Sequence, residues 1–194
     1  MAKLTGIKKF NIAVFISGTG SNFKNLINHS LKKKSRFKIG LVISDKLQAK
    51  GLHYADKFEI KKKIINYSNV RKTEKKILFE LKKNNIKLIC LAGFMKVLTK
   101  NFIKKFPGKI LNIHPSLLPK YKGLNTHQRV ILHNEKYSGC TVHYVNSNID
   151  SGKIILQKKI KVLKNDTPQK LKKRVLKQEH FLYPKALRKV LSNL

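Results

Sequence analysis

N-I-A-V-F-I-S-G-T-G-S-N, residues 11–22, is the stretch that decides the fold. A short apolar run leads into two closely spaced glycines, and polar residues suited to the first turn of a helix follow at once. Gly18 and Gly20 allow a tight turn, and N–H groups near Ser21 and Asn22 would then point toward an anion. The pattern lacks the third glycine of a dinucleotide site and the Gly-Lys-Ser/Thr of a nucleotide P-loop. It predicts a strand, a phosphate-binding loop and a helix, although an ordinary glycine turn with Ser21 as N-cap fits equally well.

The rest of the chain alternates short apolar runs with longer amphipathic ones, which predicts an α/β fold with a largely parallel central sheet flanked by helices. The predicted strands cover Asn11–Ser17, Lys38–Ser44, Ile60–Asn66, Lys87–Ala92, Lys109–Ile113, Thr141–Asn146 and Ile154–Val162. The predicted helices cover Ser21–Lys34, Ala49–Lys57, Val70–Asn84, Thr99–Phe106, Thr126–His133 and Thr167–Leu194. In the last helix we expect Thr167 to cap the first turn and Pro184 to break the helical ladder. No linker is evident, so residues 1–194 are expected to form one domain.

A second motif, N-I-H-P-S-L-L-P-K-Y-K-G at residues 112–123, places an amide and an imidazole two positions apart. Side chains at i and i+2 of a strand point to the same side, and Pro115 favours an extended His114 before it. Amide N–H groups and an imidazolium both stabilise a developing oxyanion, so Asn112 and His114 indicate acyl-group chemistry. A purely structural histidine is the alternative. Because no serine or cysteine stands in a nucleophile motif, direct transfer is favoured over a covalent intermediate.

Asp150, in N-S-N-I-D-S-G, is one of only four aspartates in the chain. If its carboxylate meets His114, it would raise the pKa of the ring and keep it protonated near neutral pH. An Asx turn at Asp-Ser-Gly is the competing interpretation.

None of the other histidines has metal-ligand spacing, so no metal is predicted. His29, His53 and His133 fit helix surfaces. His127, just beyond the proline-rich segment, is a candidate pocket residue.

The charge of the chain is extreme, since 44 Lys and Arg against 9 Asp and Glu give a net charge of +35. Such an excess indicates anionic partners. The lysines are spread along the whole chain, which favours solvated helix faces over a specific nucleic-acid surface. No apolar run is long enough to span a bilayer, so no membrane partner is expected. Cys90 and Cys140 lie in apolar stretches and are expected to be reduced core residues of a cytoplasmic protein.

Together these motifs resemble the phosphoribosylglycinamide formyltransferases, the folate-dependent formyltransferase family of purine biosynthesis. The matching stretches are F-I-S-G-T-G-S-N, L-A-G-F-M-K-V-L, I-L-N-I-H-P-S-L-L-P-K-Y-K-G-L-N-T-H, V-H-Y-V-N-S-N-I-D-S-G-K-I-I-L-Q and Q-E-H-F-L-Y-P, in family order. The resemblance implies a Rossmann-like formyltransferase fold with its site at the strand ends. It also implies direct formyl transfer from 10-formyltetrahydrofolate to the amine of 5-phosphoribosylglycinamide through a tetrahedral intermediate. The products would be formylglycinamide ribonucleotide and tetrahydrofolate.

The resemblance also implies three groups of site residues. Those that bind the amine substrate are Gly20, Ser21 and Asn22 at its phosphate, and Gly93 and Glu179 elsewhere. Those that bind the folate are Arg71, Met95, Lys96, Val97, Leu98 and Asn112. The catalytic trio is Asn112, His114 and Asp150, with protonated His114 as general acid and Asp150 setting its pKa.

Three alternatives share parts of this pattern. Methionyl-tRNA formyltransferase has the Asn-x-His and S-L-L-P elements, and formyltetrahydrofolate deformylase uses water as the acceptor, but both lack the S-G-x-G-S-N loop. A basic nucleic-acid-binding protein with this fold is the third, and its binding would survive loss of His114. The expected partners are the two small-molecule substrates, bound by a monomer or a homodimer.

Overall fold

Strands and helices alternate along the chain in the computed structural model, which describes residues 9–193. The strands are β1 (Phe10–Ile16), β2 (Phe37–Ser44), β3 (Lys62–Ile64), β4 (Leu88–Leu91), β5 (Lys109–His114), β6 (Tyr137–Tyr144) and β7 (Ile154–Lys161). The helices are α1 (Ser21–Ser30), α2 (Leu52–Lys57), α3 (Val70–Lys83), α4 (Lys100–Lys105), α5 (Thr126–Leu132) and α6 (Pro168–Leu191). Every predicted strand and helix is present, with ends shifted by a few residues.

The strands form one sheet in the order β3-β2-β1-β4-β5-β6-β7. The first five are mutually parallel, while β6 runs antiparallel to both β5 and β7. The prediction of an α/β fold with a largely parallel sheet is therefore confirmed.

Strand β1 lies in the interior of the sheet, between β2 and β4, and is buried on both faces, which explains its continuous apolar sequence. Its residues alternate between two cores, as the two-residue period of a strand requires. Ile12, Val14 and Ile16 join the core beneath α1, α2, α5 and α6. Ala13 and Phe15 join the core beneath α3 and α4 on the opposite face.

The sheet order creates a crevice at the carboxyl ends of β1 and β4. From β1 the chain goes to β2 on one side, and from β3 it crosses to β4 on the other, so β1 and β4 flank a topological switch point. In open α/β sheets the crevice at such a point is where ligands bind. The glycine loop that follows β1 and the loop that follows β4 therefore face each other there.

Helix α6 passes through Pro184 without a break, contrary to the prediction. A proline has no N–H to donate to the carbonyl four residues earlier, here that of His180. The side-chain amide of Asn25, on α1, donates to that carbonyl at 2.6 Å instead. The contact satisfies the orphaned acceptor, and Pro184 itself is buried against the sheet. Thr167 caps the first turn of α6 as predicted, accepting from the Lys170 N–H.

Cys90 and Cys140 are free and buried, as predicted, and burial raises the pKa of each thiol to about 12. Within residues 9–193 no helix combines the length and the apolar character needed to cross a membrane.

Candidate active site

A cleft of about 960 Å³ opens at the carboxyl edge of the sheet. It is lined by the loops after β1 and β4, the end of β5, the start of α5, the segment between β6 and β7, and one face of α6. All the site residues implied by the resemblance line this cleft, with one exception. Arg71 lies in the exposed first turn of α3, outside the cleft. Its proposed contact with the folate tail stays a prediction without support from this geometry.

The Asp150 carboxylate joins the two side chains that project from β5. Its Oδ2 lies 3.2 Å from His114 Nδ1 and accepts the Gly123 N–H at 2.9 Å. Its Oδ1 accepts from Asn112 Nδ2 at 3.3 Å. Asn112 and His114 therefore do point to the same side of the strand, and both reach a carboxylate 36 or more positions away. The Asx-turn alternative for Asp150 does not hold, because its oxygens face β5 and the 121–123 segment.

His114 is held between two acceptors, yet burial keeps its pKa low. Its Nε2 donates to the Tyr121 carbonyl at 2.8 Å, since a carbonyl can only accept. Burial lowers the pKa of the ring below 6.5, and the Tyr121 carbonyl and the Asp150 carboxylate offset this only in part. The expectation that Asp150 keeps His114 protonated near neutral pH is therefore not met. The lowered pKa favours the neutral ring in the free protein, with its proton on Nε2, where the Tyr121 carbonyl accepts it.

Asp150 itself is firmly ionised. Burial alone would raise the pKa of its carboxyl, but the contact with His143 and the hydrogen bond from the Gly123 N–H outweigh burial and lower it. A carboxylate beside a neutral imidazole is thus ready to stabilise a proton arriving on the ring.

His143 is a member of this cluster that the sequence did not reveal. It lies on β6, directly opposite Asn112 in the antiparallel pairing, and is 2% exposed. Its Nδ1 donates to the Tyr144 carbonyl at 2.8 Å, while its Nε2 lies 3.2 Å from Asn112 Nδ2 and 3.5 Å from Asp150 Oδ1. Both N–H groups of the Asn112 amide are therefore directed to neighbours in the free protein, at long distances that a stronger acceptor can overcome.

The 121–123 segment also contributes, through its backbone rather than its side chains. Tyr121 and Gly123 both have positive φ, 57° and 77°, and this left-handed geometry turns one carbonyl to His114 and one N–H to Asp150. A Cβ on Gly123 would meet no atom within 4 Å, so the glycine serves the backbone conformation alone.

The glycine loop opens α1 with its free N–H groups toward the cleft. Gly20 is the N-cap, with φ of 72°, and no side chain caps the helix, so the alternative with Ser21 as N-cap is wrong. Gly51 packs so closely that a Cβ on Gly20 would lie 2.6 Å from its Cα. The first N–H groups of a helix lack intrahelical partners and suit an anion.

Glu179, on α6, borders the same loop. Its Oε2 accepts from Asn22 Nδ2 at 2.6 Å in a buried contact. Burial raises the pKa of the Glu179 carboxyl, and the Asn22 hydrogen bond and the charge of Lys172 counter this in part. This wall of the cleft therefore combines neutral donors with a buried carboxyl group.

Side chains from other segments hold the backbone of the loop after β4 at both of its ends. Ser17 Oγ accepts the Met95 N–H at 2.8 Å and donates to Asp45 Oδ1 at 2.5 Å. At the far end, the buried Glu74 carboxylate accepts both the N–H and the hydroxyl of Thr99. Because these contacts hold the backbone, the loop presents a preformed surface to the cleft.

His127 also lines the cleft, as expected for a candidate pocket residue. Burial, together with the charges of Lys172 and His114, lowers the pKa of its ring to about 4. No cluster of three or more histidine, cysteine or acidic side chains that could hold a metal ion is found between residues 9 and 193.

Comparisons with known proteins identify the family of this chain. The family model described as formyl transferase matches residues 10–187. The chain is 43% identical to the phosphoribosylglycinamide formyltransferase of Haemophilus influenzae, a match covering 89% of this chain and 83% of that protein. The crystal structure of phosphoribosylglycinamide formyltransferase from Brucella melitensis is similar with a TM-score of 0.91 and 41% identity, covering 96% of this chain and 98% of that one.

The trifunctional purine biosynthetic protein adenosine-3 of Homo sapiens is 42% identical over 95% of this chain. The match takes up only 19% of that much longer protein, so the chain spans about a fifth of it. Family motif, sequence identity and fold thus agree along nearly the whole chain, which belongs to the formyl transferase family and, within it, to the phosphoribosylglycinamide formyltransferases.

Proposed function

We propose that this protein transfers the formyl group of 10-formyltetrahydrofolate directly to the amine of 5-phosphoribosylglycinamide, as a step of purine biosynthesis. The observation that carries the proposal is the Asp150 carboxylate, which reaches both His114 and Asn112 at the floor of the cleft. Two binding loops meet above this trio, one suited to an anion and one bordered by apolar side chains. We further propose that the reaction takes place in the cytoplasm, a proposal that two free buried cysteines support.

The phosphate of the amine substrate would bind at the start of α1, where Gly20, Ser21 and Asn22 offer backbone and side-chain donors. Glu179 would accept from ribose hydroxyls, and Gly93 would allow close approach, since a Cβ there has no neighbour within 4 Å. These contacts would bring the glycinamide amine toward the end of β5.

The folate would lie along the loop after β4. Large apolar side chains stand exposed at this part of the cleft, as a planar ring system requires of its binding surface. They are Met95 at 58%, Val97 at 63%, Leu124 at 72% and Ile149 at 56% exposure. Backbone groups between Met95 and Leu98 would supply polar contacts, because Ser17 and Glu74 hold that backbone in place.

The chemistry follows from the charge of each group. When the amine attacks the formyl carbon, a C–N bond forms, negative charge grows on the formyl oxygen and the attacking nitrogen becomes cationic. Asn112 donates an N–H to that oxygen. Neutral His114, backed by the Asp150 carboxylate, accepts the proton from the attacking nitrogen and returns it to the folate nitrogen as the old C–N bond breaks.

This scheme differs from the one implied by sequence in where the proton starts. Because its pKa is lowered, His114 starts in the neutral form and can accept a proton. It acts as an acid only after it has taken the proton of the amine. The overall reaction moves one proton from the amine to the folate, so the His114–Asp150 pair is unchanged at the end.

The test is to follow the absorbance of the tetrahydrofolate product with and without 5-phosphoribosylglycinamide. We expect turnover that depends on the amine and that yields one formylated amine for each folate released. Equal turnover without the amine would identify a hydrolase and refute the proposal. His114→Ala should reduce kcat by at least about 100-fold, the typical effect of removing one catalytic donor, while circular dichroism stays unchanged. His53→Ala is the matched control, because His53 is exposed on α2, away from the cleft.

A further inference from the structure

The proposed phosphate site, formed by Gly20, Ser21 and Asn22, has no positively charged side chain of its own. The glycine loop offers only neutral donors, and the ionisable group that touches it is the acidic side chain of Glu179, through Asn22. A phosphate dianion placed there would lie beside an acidic side chain in a loop that has no positive charge of its own, which is unfavourable without a cation nearby. Apart from histidines, the charged residues of the cleft lining are Lys96, Asp150, Lys172 and Glu179.

The two lysines belong to different parts of the cleft. Lys96 lies on the loop after β4, and its Nζ sits 6.0 Å from the centre of the Tyr67 ring. Lys172 lies on α6, on the helical face that also carries Glu179 seven positions later. Residues seven apart share a face and are separated by about 10 Å along the axis, so both side chains border the same wall of the cleft.

Lys172 is also free to bind an anion. None of the ion pairs found among residues 9–193 involves it, and it is exposed. Its charge acts on two other groups of the cleft, lowering the pKa of His127 and countering the raised pKa of Glu179. The ammonium group therefore acts on the cleft side of α6, between the start of α5 and the glycine loop.

We infer that Lys172 is the cation that binds the substrate phosphate and makes this enzyme selective for the phosphorylated amine over its dephosphorylated counterpart. The inference rests on the proposed function, which supplies the phosphate. The helix α1 N-terminus and Asn22 then orient the phosphate, while Lys172 supplies the positive charge that the glycine loop lacks.

The experiment compares Lys172→Gln with Lys173→Gln, the neighbouring lysine that is also exposed but does not line the cleft. Initial rates are measured with 5-phosphoribosylglycinamide and with glycinamide riboside, which lacks the phosphate. We expect Lys172→Gln to raise KM for the phosphorylated amine about 10- to 100-fold, the range for a hydrogen bond to a charged group. The values of kcat and of KM for the folate should stay unchanged, as should all constants for the riboside. Lys172→Arg should restore the low KM.

Binding of ribose 5-phosphate, measured by calorimetry, separates this inference from the proposed function. The wild type and Lys173→Gln should bind it alike, and Lys172→Gln should bind it more weakly by the same factor as in KM. If Lys172 governs this binding but no formyl transfer occurs, the proposed function fails and the inference stands. If transfer occurs but Lys172→Gln affects the riboside and the phosphorylated amine equally, the inference is wrong and the function stands.

Discussion

Replacing His127 with glutamine removes a titratable ring from the wall of the cleft and should make the protein less sensitive to acid. The pKa of this ring is lowered from 6.5 to about 4, first by burial and then by the charges of Lys172 and His114. In the unfolded chain the ring regains a value near 6.5. The unfolded state therefore binds more protons than the folded state between these two values.

The sign and size of the effect follow from this difference. Stability contributed by the neutral ring is fully present above about pH 6.5 and is lost as the pH falls toward about 4. With these two pKa values, the loss between pH 7 and pH 5 is at most about 2 kcal/mol. The ring is partly exposed, and the net charge of +35 lowers histidine pKa values in the unfolded chain as well. We therefore expect about 1 kcal/mol from His127 alone.

The assay is urea unfolding followed by circular dichroism at pH 7 and pH 5, for the wild type and His127→Gln. The free energy of unfolding should fall between the two pH values by about 1 kcal/mol less in the variant. His29, His114 and His180, whose pKa values are also lowered, are present in both proteins and cancel in the comparison.

His53→Gln serves as the control, since it removes an exposed histidine that lies outside the cleft. An identical loss in the wild type and His127→Gln would refute the reasoning, because it would mean that the ring titrates alike in the folded and unfolded states. A further check is the NMR titration of His127 in the Lys172→Gln background, where the pKa should rise as one of the two neighbouring charges is removed.

Three further changes test the site. Asp150→Asn removes the carboxylate that backs the catalytic ring, so kcat should fall by about 100- to 1000-fold, whereas a fall below tenfold in steady-state kinetics would contradict that role. Ser17→Ala leaves the Met95 N–H without its acceptor at a cost of about 1 to 3 kcal/mol, so KM for the folate should rise. Ser17→Thr keeps a hydroxyl acceptor and should keep the low KM. An equal rise in KM for both substrates would argue against a specific effect on that loop. Gly51→Ala puts a Cβ 2.8 Å from Gly20 Cα, so ribose 5-phosphate should bind more weakly in calorimetry, and unchanged affinity would show that the loop tolerates the shift.

The strands and helices could be predicted from sequence because each carries its signal locally. In strand β1 the buried residues form an apolar run, and the two-residue period of a strand distributes them between two cores. The pairing of Asn112 and His114 on one side of a strand follows from the same period. The continuity of α6 through Pro184 could not be predicted from the local sequence, because the donor that replaces its missing N–H comes from Asn25, more than 150 positions away.

The part of the site that sequence could not give depends on contacts between distant segments. His143 faces Asn112 only because β6 pairs with β5 in one particular antiparallel register, which no motif specifies. The sign of the His114 pKa shift was mispredicted for a related reason. A neighbouring carboxylate can be guessed from a motif, but the depth of burial that outweighs it is a property of the folded core.

The net charge of +35 and the charges of the cleft act over different ranges and should be separable in experiment. The surface lysines attract any anion, and their effect is screened beyond a Debye length of about 8 Å at physiological salt. They should therefore raise association rates for both anionic substrates and lose this effect as salt is added. The cleft is lined by two lysines and two acidic residues, so discrimination between the phosphorylated and the dephosphorylated amine depends on where each of these side chains lies. Preference for the phosphorylated amine should accordingly persist at high salt in the wild type and be weakened in Lys172→Gln by the same factor at every salt concentration.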